Sequence, residues 1–526
     1  MDHAKDTSVA RRLAILVALI AAFGSGTPRA DEAVPVLANR DDDDRDGLPD
    51  AEDEEVNGEA DARDLAVLQV ALAPGTTAVR LDAGDAPLRF FARAGEAWQH
   101  VGLGRGELLI DDSPVTGPLE VYVEACGWAG QPANWSGAAV VRVSCVGSQD
   151  AVEEQEFAVR VAPVRVLPAT ATVDEVYVAT GRYDNAVFLE RLRGLLQGLQ
   201  VPLRDHATGD WREMWMQDTM EIGIAATDRA TMSVVLAGLR GADTFPPTLL
   251  GPDVAVAVVA KPRALSGGDA WADWYGNLEA SPATQPHPQG RVIHGRNRLT
   301  GCSFHPAVVA FLTAQGAQPS VWIDTSWLLI KHVDEVVAFL PGADGRGVIV
   351  VPDPQAGLAL LADTHGDGGG DEAVARRRRE AAPRIHREIE AMLFGGTADA
   401  RAGESAGAAA AGLLGVLGID RDRVIRLPVA FDVPDQGLLA DGGVTDASSL
   451  WSNPVNALFV NGTVICGAAG MPAACRKICR ERFLAAGATA VEFIDDGCYQ
   501  KNHGNVHCAT NTRRRDAASE AIGSRP

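Results

Sequence analysis

The sequence predicts a multidomain protein of β plus α/β class, in which an immunoglobulin-like β-sandwich precedes a large α/β domain. Its 526 residues exceed what one ordinary hydrophobic core accommodates. Between residues 65 and 166, short alternating or β-branched runs are separated by Gly, Pro and Asp turns, which is typical of a β-sandwich. Beyond residue 168, strand-like and amphipathic helical runs alternate, which indicates an α/β domain.

The individual elements follow from the spacing of apolar residues. The sandwich strands are predicted at residues 65–72, 78–81, 88–91, 119–123, 139–143 and 156–161. The α/β domain has predicted strands at 176–178, 231–239, 424–427 and 457–460, and predicted helices at 185–199, 376–393 and 408–417. We therefore expect a leader at 1–30, a sandwich domain at 31–166 and an α/β domain at 167–526.

The overall charge limits the classes of partner. The formal net charge is −23, which argues against a nucleic-acid-binding protein and favours cationic substrates or metal cations. Eight cysteines in a chain of this length are too few for a disulfide scaffold.

The N-terminus has the pattern of a signal peptide. Arg11 and Arg12 precede the apolar run 13–23, and small residues follow it. This run is too short to cross a bilayer as a helix. We expect an exported protein, secreted or periplasmic, with no membrane span in its mature form.

An acidic segment follows the leader. Aspartates at alternate positions with a following Gly47 match a calcium loop, because carboxylates are hard oxygen ligands and glycine permits the sharp turn. The alternative is a solvated, disordered linker. Leu48, Val56 and Leu65 argue against that alternative, because they offer packing points within the run.

Two segments of the α/β domain combine carboxylates with apolar residues. Residues 211–224, WREMWMQDTMEIGI, contain Asp218, and residues 327–339, WLLIKHVDEVVAF, contain His332 and Asp334. We expect the second segment to be a strand, in which His332 and Asp334 point to the same face. A solvated edge strand is the alternative, because ionisable groups are costly to bury without partners.

A third segment, residues 503–513, contains a cysteine among small and polar residues, HGNVHCATNTR. We expect a tight turn that holds the Cys508 thiol near solvent, directly after His507. A thiol acts as a nucleophile as the thiolate, so its surroundings must favour that form. Half of a disulfide bridge is the structural alternative in an exported protein.

Two aspartates, a histidine and a cysteine suit attack on a planar guanidinium. A pair of carboxylates binds its N–H groups and orients it. A thiolate then adds to the carbon, and the histidine protonates departing ammonia before it activates water against the thiouronium.

These segments resemble the calcium-dependent protein-arginine deiminases. WMQDTMEIG, KHVDE and HGNVHCATN are similar to the three catalytic signatures of that family, in the same order, and GNLEASP at 276–282 is similar to a further run. The resemblance covers most of residues 40–515. It implies a pentein α/β-propeller catalytic domain behind one immunoglobulin-like domain, and arginine-containing protein or peptide substrates.

The resemblance also implies roles for individual residues. Cys508 would be the nucleophile, His332 the acid and base, and Asp218 and Asp334 the ligands of the guanidinium. The substrate contacts would be Trp215, which shields the substrate stem, and Arg240, which grips the peptide backbone.

Calcium is the implied cofactor, at two places. In the catalytic domain the implied ligands are Gln217, Glu221 and Glu279 with the backbone carbonyls of Tyr275 and Leu278. In the acidic segment they are Asn39, Asp41, Asp43, Asp50, Asp53, Asp61 and Asp64.

The resemblance has limits. Thr219 stands where the vertebrate enzymes have a carboxylate, and residues 235–239 lack the ligands of their second catalytic-domain calcium. Asn502 replaces an arginine near the nucleophile.

Three other functions compete with this interpretation. A deiminase of free arginine or a small guanidine compound would use the same chemistry, and a non-enzymatic calcium-binding surface protein would explain the aspartates alone. GESAG at 403–407 fits the G-x-S-x-G motif of esterases, but the preceding run 397–402 lacks the buried strand that such a nucleophile requires.

Overall fold

A computed structural model describes residues 33–110, 118–147, 152–240, 243–365, 371–395 and 406–516. The predicted leader at 1–30 and most of the esterase-like GESAG run lie outside these residues. The chain divides into two compact units. Among described residues the first contains 33–36, Ala66–Val123 and Ala138–Arg160, and the second contains Leu37–Leu65, Glu124–Gly137 and the chain from Val161.

The first unit consists of two sheets. One has the strand order β1-β9-β8-β3-β6 and the other β2-β7-β4-β5, and the registers described between their strands are antiparallel. The strands are β1 (Val34–Val36), β2 (Ala66–Val70), β3 (Thr76–Asp82), β4 (Leu88–Ala94), β5 (Ala97–Leu103), β6 (Arg105–Leu109), β7 (Leu119–Ala125), β8 (Ala138–Gly147) and β9 (Val152–Val161). All six predicted strands are confirmed, as β2, β3, β4, β7, β8 and β9.

The second unit mixes strands and helices. Its strands are β10 (Arg165–Val166), β11 (Thr172–Thr180), β12 (Leu203–Ala207), β13 (Met220–Ala226), β14 (Thr231–Ala237), β15 (Val254–Ala257), β16 (Leu278–Ala280), β17 (Val292–Arg296), β18 (Ser320–Asp324), β19 (Ala338–Pro341), β20 (Gly347–Asp353), β21 (Val424–Pro428), β22 (Phe431–Asp432), β23 (Ser448–Ser449), β24 (Leu458–Val460), β25 (Thr463–Gly467), β26 (Ala490–Ile494) and β27 (Thr510–Arg515). Its helices are α1 (Asp61–Asp64), α2 (Ala186–Gly198), α3 (Met216–Thr219), α4 (Pro306–Ala314), α5 (Pro354–His365), α6 (Glu372–Phe394), α7 (Ala406–Leu417), α8 (Ala473–Ala486), α9 (Gly497–Gln500) and α10 (Val506–Ala509).

One strand arrangement recurs in five sheets of the second unit. A leading strand pairs antiparallel with a middle strand, and the middle strand pairs parallel with a third. The five sets are β13-β14-β15, β16-β17-β18, β19-β20-β21, β24-β25-β26 and β27-β11-β12. In the last set the leading strand comes from the end of the chain. The parallel pair requires a crossover, which contains a helix in four sets and a 3-10 turn, Pro246–Leu249, between β14 and β15.

The longer helices bury one face each. In α2, Phe188, Leu189, Leu192 and Leu196 recur at helical spacing and are buried. In α6, Asp371 accepts a hydrogen bond from the backbone N–H of Ala373 (2.9 Å) and caps the first turn. The predicted helices at 185–199 and 376–393 are therefore confirmed.

The acidic segment 37–65 groups with the α/β unit, whereas the sequence placed it in domain 31–166. Its backbone is bonded within that unit: Asp42 N–H donates to the Gly251 carbonyl at 3.4 Å, and Asp253 N–H donates to Asp41 Oδ2 at 2.9 Å. No helix among the described ranges has the length and apolar composition needed to cross a bilayer.

Candidate active site

A short segment precedes each of the five leading strands, and the predicted catalytic residues lie in or next to three of these segments. These segments are α3 before β13, the 3-10 turn Tyr275–Asn277 before β16, the 3-10 turn Val333–Glu335 before β19, residues 453–457 before β24, and α10 before β27. An apolar residue in four of them is buried in the core, namely Met216, Val333, Val455 and Val506. Burying each such side chain contributes roughly 1.5–3 kcal/mol, which holds the neighbouring polar residue in place.

The structure brings the four predicted catalytic side chains together. The Cys508 thiol lies 3.4 Å from Asp334 Oδ2, and His332 Nδ1 lies 3.5 Å from Asp218 Oδ1. The two pairs meet at Gly276, where a Cβ would stand 2.7 Å from His332 Nδ1, 2.8 Å from Asp218 Oδ1 and 3.3 Å from Asp334 Oδ2. All four side chains are buried.

Backbone groups fix two of these side chains. The Gly276 N–H donates to Asp218 Oδ1 at 3.0 Å, and His332 Nε2 lies 2.9 Å from the Trp271 carbonyl oxygen. Because a carbonyl only accepts, Nε2 of His332 carries a proton and Nδ1 faces Asp218.

Asn456 holds the Cys508 side chain and was missed from the sequence. Its Nδ2 lies 3.1 Å from the Cys508 Sγ, and its Oδ1 accepts the Cys508 backbone N–H at 3.1 Å. Asn456 also donates to the Asp334 carbonyl at 3.3 Å. The only local signal is an asparagine in the run SNPVNA just before a strand, which does not by itself indicate catalysis.

The electrostatics of the site favour a bound cation. Burial raises the pKa of Cys508 well above its ordinary value, and the charges of Asp334, Asp218 and Glu335 raise it further. Burial also raises the pKa of Asp218 and, together with Asp334, that of Glu335. Asp334 Oδ1 and Glu335 Oε1 are buried without a hydrogen-bond partner among the described residues. A planar cation supplies the donors and the positive charge that these groups lack.

Two local predictions are wrong. The segment 327–339 is not a strand, because Lys331 has a left-handed φ of 66° and a 3-10 turn follows at Val333–Glu335. A turn of this kind, rather than an extended strand, brings His332 and Asp334 to one site. Cys508 is also not near solvent: it lies in α10 with 6 % of its surface exposed, and it forms no disulfide.

Trp215 lies against the loop that precedes the nucleophile. A Cβ on Gly504 would stand 2.2 Å from its ring, so only glycine permits this approach. Tyr183 and Tyr499 pack at ring-centroid distances of 5.8 Å and 5.7 Å. The ring is therefore fixed beside the Cys508 segment, and its contact with a substrate stays a prediction.

Arg240 is bonded inward. Its guanidinium pairs with Asp243, donates to the hydroxyl of Thr219 and to the carbonyl of Arg212, and leaves 1 % of the side chain exposed. Contact with a substrate backbone would require the guanidinium to leave Asp243, and that role stays a prediction. Thr219, which stands where the vertebrate enzymes have a carboxylate, thus accepts a hydrogen bond from the Arg240 guanidinium.

Three of the predicted catalytic-domain calcium ligands, Gln217, Glu221 and Glu279, lie close together. Gln217 Nε2 donates to Glu221 Oε2 at 3.0 Å. Burial and the charge of Glu279 raise the pKa of Glu221 to about 8, and burial raises that of Glu279 to about 7. Both are close to His507, whose Nε2 lies 3.6 Å from Glu279 and whose Nδ1 lies 2.9 Å from Asp334. The buried carboxylate of Glu221, the half-buried one of Glu279 and the amide oxygen of Gln217 fit a calcium ion, which prefers oxygen ligands.

The acidic segment offers a second oxygen-rich cluster. Carboxylate oxygens of Asp41, Asp43 and Asp50 lie within 4.8 Å of one another. Oδ1 atoms of Asn39, Asp41 and Asp43 are buried without a hydrogen-bond partner among described residues. Burial raises the pKa of Asp41 and Asp50 to about 8. Unpaired buried oxygens of this kind fit calcium ligation.

The remaining predicted ligands surround this cluster. Asn39 donates to Asp61 at 2.8 Å, and burial raises the pKa of Asp64 to about 9. Asp53 accepts a hydrogen bond from Asn57 at 3.2 Å. Asp253, which was missed from the sequence, adds its charge to Asp41, Asp43 and Asp64. Its separation along the chain hides it from any local pattern.

Comparison with known proteins identifies one family. The model of one family, protein-arginine deiminase (PAD), matches residues 151–520. The chain belongs to the protein-arginine deiminase family. Human protein-arginine deiminase type-4 is 26 % identical over 439 residues, which cover 76 % of this chain and 61 % of the human enzyme. Human type-3 is 33 % identical over 225 residues, which cover 40 % of this chain and 33 % of that enzyme. The matched part is thus less than two thirds of either relative.

Solved structures of deiminases are also similar. An agmatine deiminase of Enterococcus faecalis covers 67 % of this chain and 96 % of its own, with 12 % identity and a TM-score of 0.39. The agmatine deiminase of C. jejuni covers 67 % of this chain and 96 % of its own, with 11 % identity and a TM-score of 0.37.

Proposed function

We propose that this protein hydrolyses the guanidinium of protein-bound arginine to citrulline and releases ammonia, in a calcium-dependent reaction. The observation that carries the proposal is the convergence of Cys508, His332, Asp218 and Asp334 around Gly276. The family assignment of residues 151–520 supports the same chemistry.

In the proposed mechanism the two aspartates orient the substrate cation. The cation offsets the carboxylate charges that keep the Cys508 thiol protonated, so the thiol passes its proton to His332 when the substrate is bound. The thiolate adds to the guanidinium carbon, and His332 protonates the departing nitrogen, which leaves as ammonia. His332 then takes a proton from water that attacks the thiouronium carbon, and collapse of the adduct releases citrulline and restores the thiol.

Calcium completes the proposal. The side chains of Gln217, Glu221 and Glu279 and the carbonyls of Tyr275 and Leu278 would hold one ion, and the acidic segment would hold others. A bound ion supplies positive charge that offsets these buried carboxylates. Asp218 follows Gln217 directly, so one proposed calcium ligand and one proposed guanidinium ligand lie in the same short helix, α3.

The finer architecture belongs to the same proposal. Five repeats of a leading, middle and third strand support a pentein α/β-propeller, and two antiparallel sheets support an immunoglobulin-like sandwich. Export of the enzyme is supported by the pattern of residues 11–30.

The decisive experiment compares an arginine peptide, free arginine and agmatine, each with calcium and with excess chelator. We expect citrulline in the peptide with calcium, identified by mass spectrometry, and its loss under chelation. Cys508→Ser should lower turnover at least about a thousandfold while the fold is retained. Turnover of free arginine or agmatine alone would favour a small-molecule deiminase. If no substrate is turned over, the alternative of a non-enzymatic calcium-binding surface protein is favoured.

A further inference from the structure

Three tryptophans form a continuous surface that we call the tryptophan shelf: Trp211, Trp271 and Trp274. The ring centroids of Trp271 and Trp274 lie 6.5 Å apart, and those of Trp274 and Trp211 lie 5.9 Å apart. Trp271 and Trp274 are half-buried, whereas 45 % of the surface of Trp211 is exposed. The exposed Trp211 ring and its two neighbours offer a ligand a contiguous aromatic surface.

The shelf begins at the catalytic residues. The Trp271 carbonyl bonds His332 Nε2 at 2.9 Å. At the other end, Trp211 lies shortly before Trp215 in the sequence. Trp215 packs on Gly504, in the loop that precedes Cys508. Segments that carry catalytic groups therefore border the shelf at both ends, and a peptide whose arginine enters the site lies within reach of it.

The charges along the shelf are already paired. Arg212 bonds Asp210 at 2.5 Å, and Arg240 pairs with Asp243. The Arg240 guanidinium carbon also lies 5.0 Å from the centroid of the Trp274 ring, so a protein cation occupies this aromatic face. The shelf therefore offers a ligand aromatic surface, because the arginines beside it are already paired with aspartates.

We propose that the tryptophan shelf binds an aromatic or large aliphatic side chain close to the target arginine in the substrate peptide. This inference rests on the proposed deiminase function and adds a sequence preference to it. Neighbouring residues of an extended peptide are about 3.3–3.6 Å apart along the chain, so we assign the shelf to a side chain one or two positions from the arginine.

The test uses the full-length protein with calcium and short blocked peptides. Each peptide carries a target arginine and one varied neighbour. The neighbour is phenylalanine, serine or a second arginine, and it stands either directly before or directly after the target. We expect kcat/KM for one of the phenylalanine peptides to exceed that of its serine counterpart about fivefold, mainly through KM, as an aromatic contact of ordinary strength produces.

Variants assign the preference to the shelf. Trp211→Ala removes the exposed ring and should bring the phenylalanine-to-serine ratio close to one. Trp322→Ala is the matched control: Trp322 is also half-buried in the α/β unit, with the Arg296 guanidinium carbon 5.0 Å from its ring centroid. We expect this control to leave both turnover and the ratio unchanged.

The outcomes separate the two proposals. Equal kcat/KM for the phenylalanine and serine peptides, or a ratio that survives Trp211→Ala, would overturn the shelf and leave the deiminase function standing. A preference for the second arginine over phenylalanine would also overturn it, in favour of a cation subsite. No turnover of any arginine substrate would overturn both.

Discussion

The Cys508 thiol, which we propose as the nucleophile, lies in surroundings that oppose the thiolate form. Burial and the carboxylates of Asp334, Asp218 and Glu335 all raise the pKa of the Cys508 thiol. Asn456 donates to the sulfur at 3.1 Å, which favours the thiolate, but one neutral donor is weak beside several negative charges. We therefore expect the thiol to stay protonated until a cation enters the site.

Removal of one carboxylate should therefore have opposite effects on the thiol and on the reaction. In Asp334→Asn we expect Cys508 to react with iodoacetamide about tenfold faster at about pH 8, because an anion 3.4 Å from the sulfur is lost. Citrulline formation should nevertheless fall at least about a hundredfold, because the guanidinium loses a ligand.

Peptide mass spectrometry measures both quantities in the same samples. Cys498 is the internal control: burial and the charge of Asp496 raise its pKa to about 11, and Asp334 is not among the groups that shift it. Its alkylation rate should not change. Slower or equal alkylation of Cys508 in the variant would contradict the electrostatic account.

Among the secondary-structure elements, helices and strands with regular apolar spacing were predictable from the sequence. Strands without that spacing, and the 3-10 turn at Val333–Glu335, were not. Helix α2 was predictable because its apolar residues keep helical spacing over its whole length. The edge strands β5 and β6 were missed because AWQHVGL and RGELL mix polar residues and glycine without clear alternation. The turn at Val333–Glu335 was mistaken for a strand because its apolar residues match a buried strand, and the φ of Lys331 leaves no mark in the sequence.

The site could be predicted where its residues carry ionisable groups in recognisable signatures. Cys508, His332, Asp218 and Asp334 belong to this class, and the structure brings them together. Asn456 was not predictable in this way, because an amide that bonds a distant thiol has no local signature. The five segments occupy corresponding positions because the pattern of strand pairing repeats. Their residues do not repeat, so the sequence does not reveal this correspondence.

His332, Asp218 and Asp334 all lie close to Gly276, and a methyl group there should abolish activity. In Gly276→Ala the new carbon would lie within 3.0 Å of His332 and Asp218 and would occupy the place where the catalytic groups meet. We expect kcat/KM to fall at least about a hundredfold, since misplacement of catalytic groups by about 1 Å costs that much. Kinetic assays and circular dichroism together separate lost activity from lost fold.

Gly194→Ala provides the matched control for that substitution. Gly194 lies in α2, and a Cβ added there would meet no atom within 4 Å beyond the neighbouring backbone of its own helix. Alanine favours a helix over glycine by roughly 0.5–1 kcal/mol. The control should therefore keep full activity and be slightly more stable. Full activity in Gly276→Ala would mean that the catalytic groups do not converge there.

At the scale of the whole molecule, excess negative charge is concentrated where metal ions are expected. The chain carries a net charge of −23, and several of its aspartates are buried together in the acidic segment. Folding therefore brings like charges into contact, which costs free energy unless protons or cations accompany them. The stability of the fold should consequently depend on both pH and calcium.

The sign of this dependence follows from the raised pKa values. Burial raises the pKa of Asp41 and Asp50 from 3.8 to about 8 and that of Asp43 to about 6, so the folded protein keeps protons that the unfolded chain releases above about pH 4. Without calcium, stability should fall as pH rises from about 5.5 to about 8. Calcium binds the ionised form, so its stabilising effect should grow over the same range.

Thermal unfolding with calcium and with chelator, at about pH 5.5 and at about pH 8, measures this directly. We expect the melting temperature of the calcium-free protein to be several degrees lower at the higher pH, and calcium to restore it. Asp253→Asn removes one of the crowded charges, so it should raise the calcium-free melting temperature at the higher pH and reduce the gain from calcium. The exposed Asp228→Asn, in the same unit, should change neither. A calcium-free protein that becomes more stable as pH rises would show that the acidic segment folds with its carboxylates ionised, and the aspartates would then not need a cation.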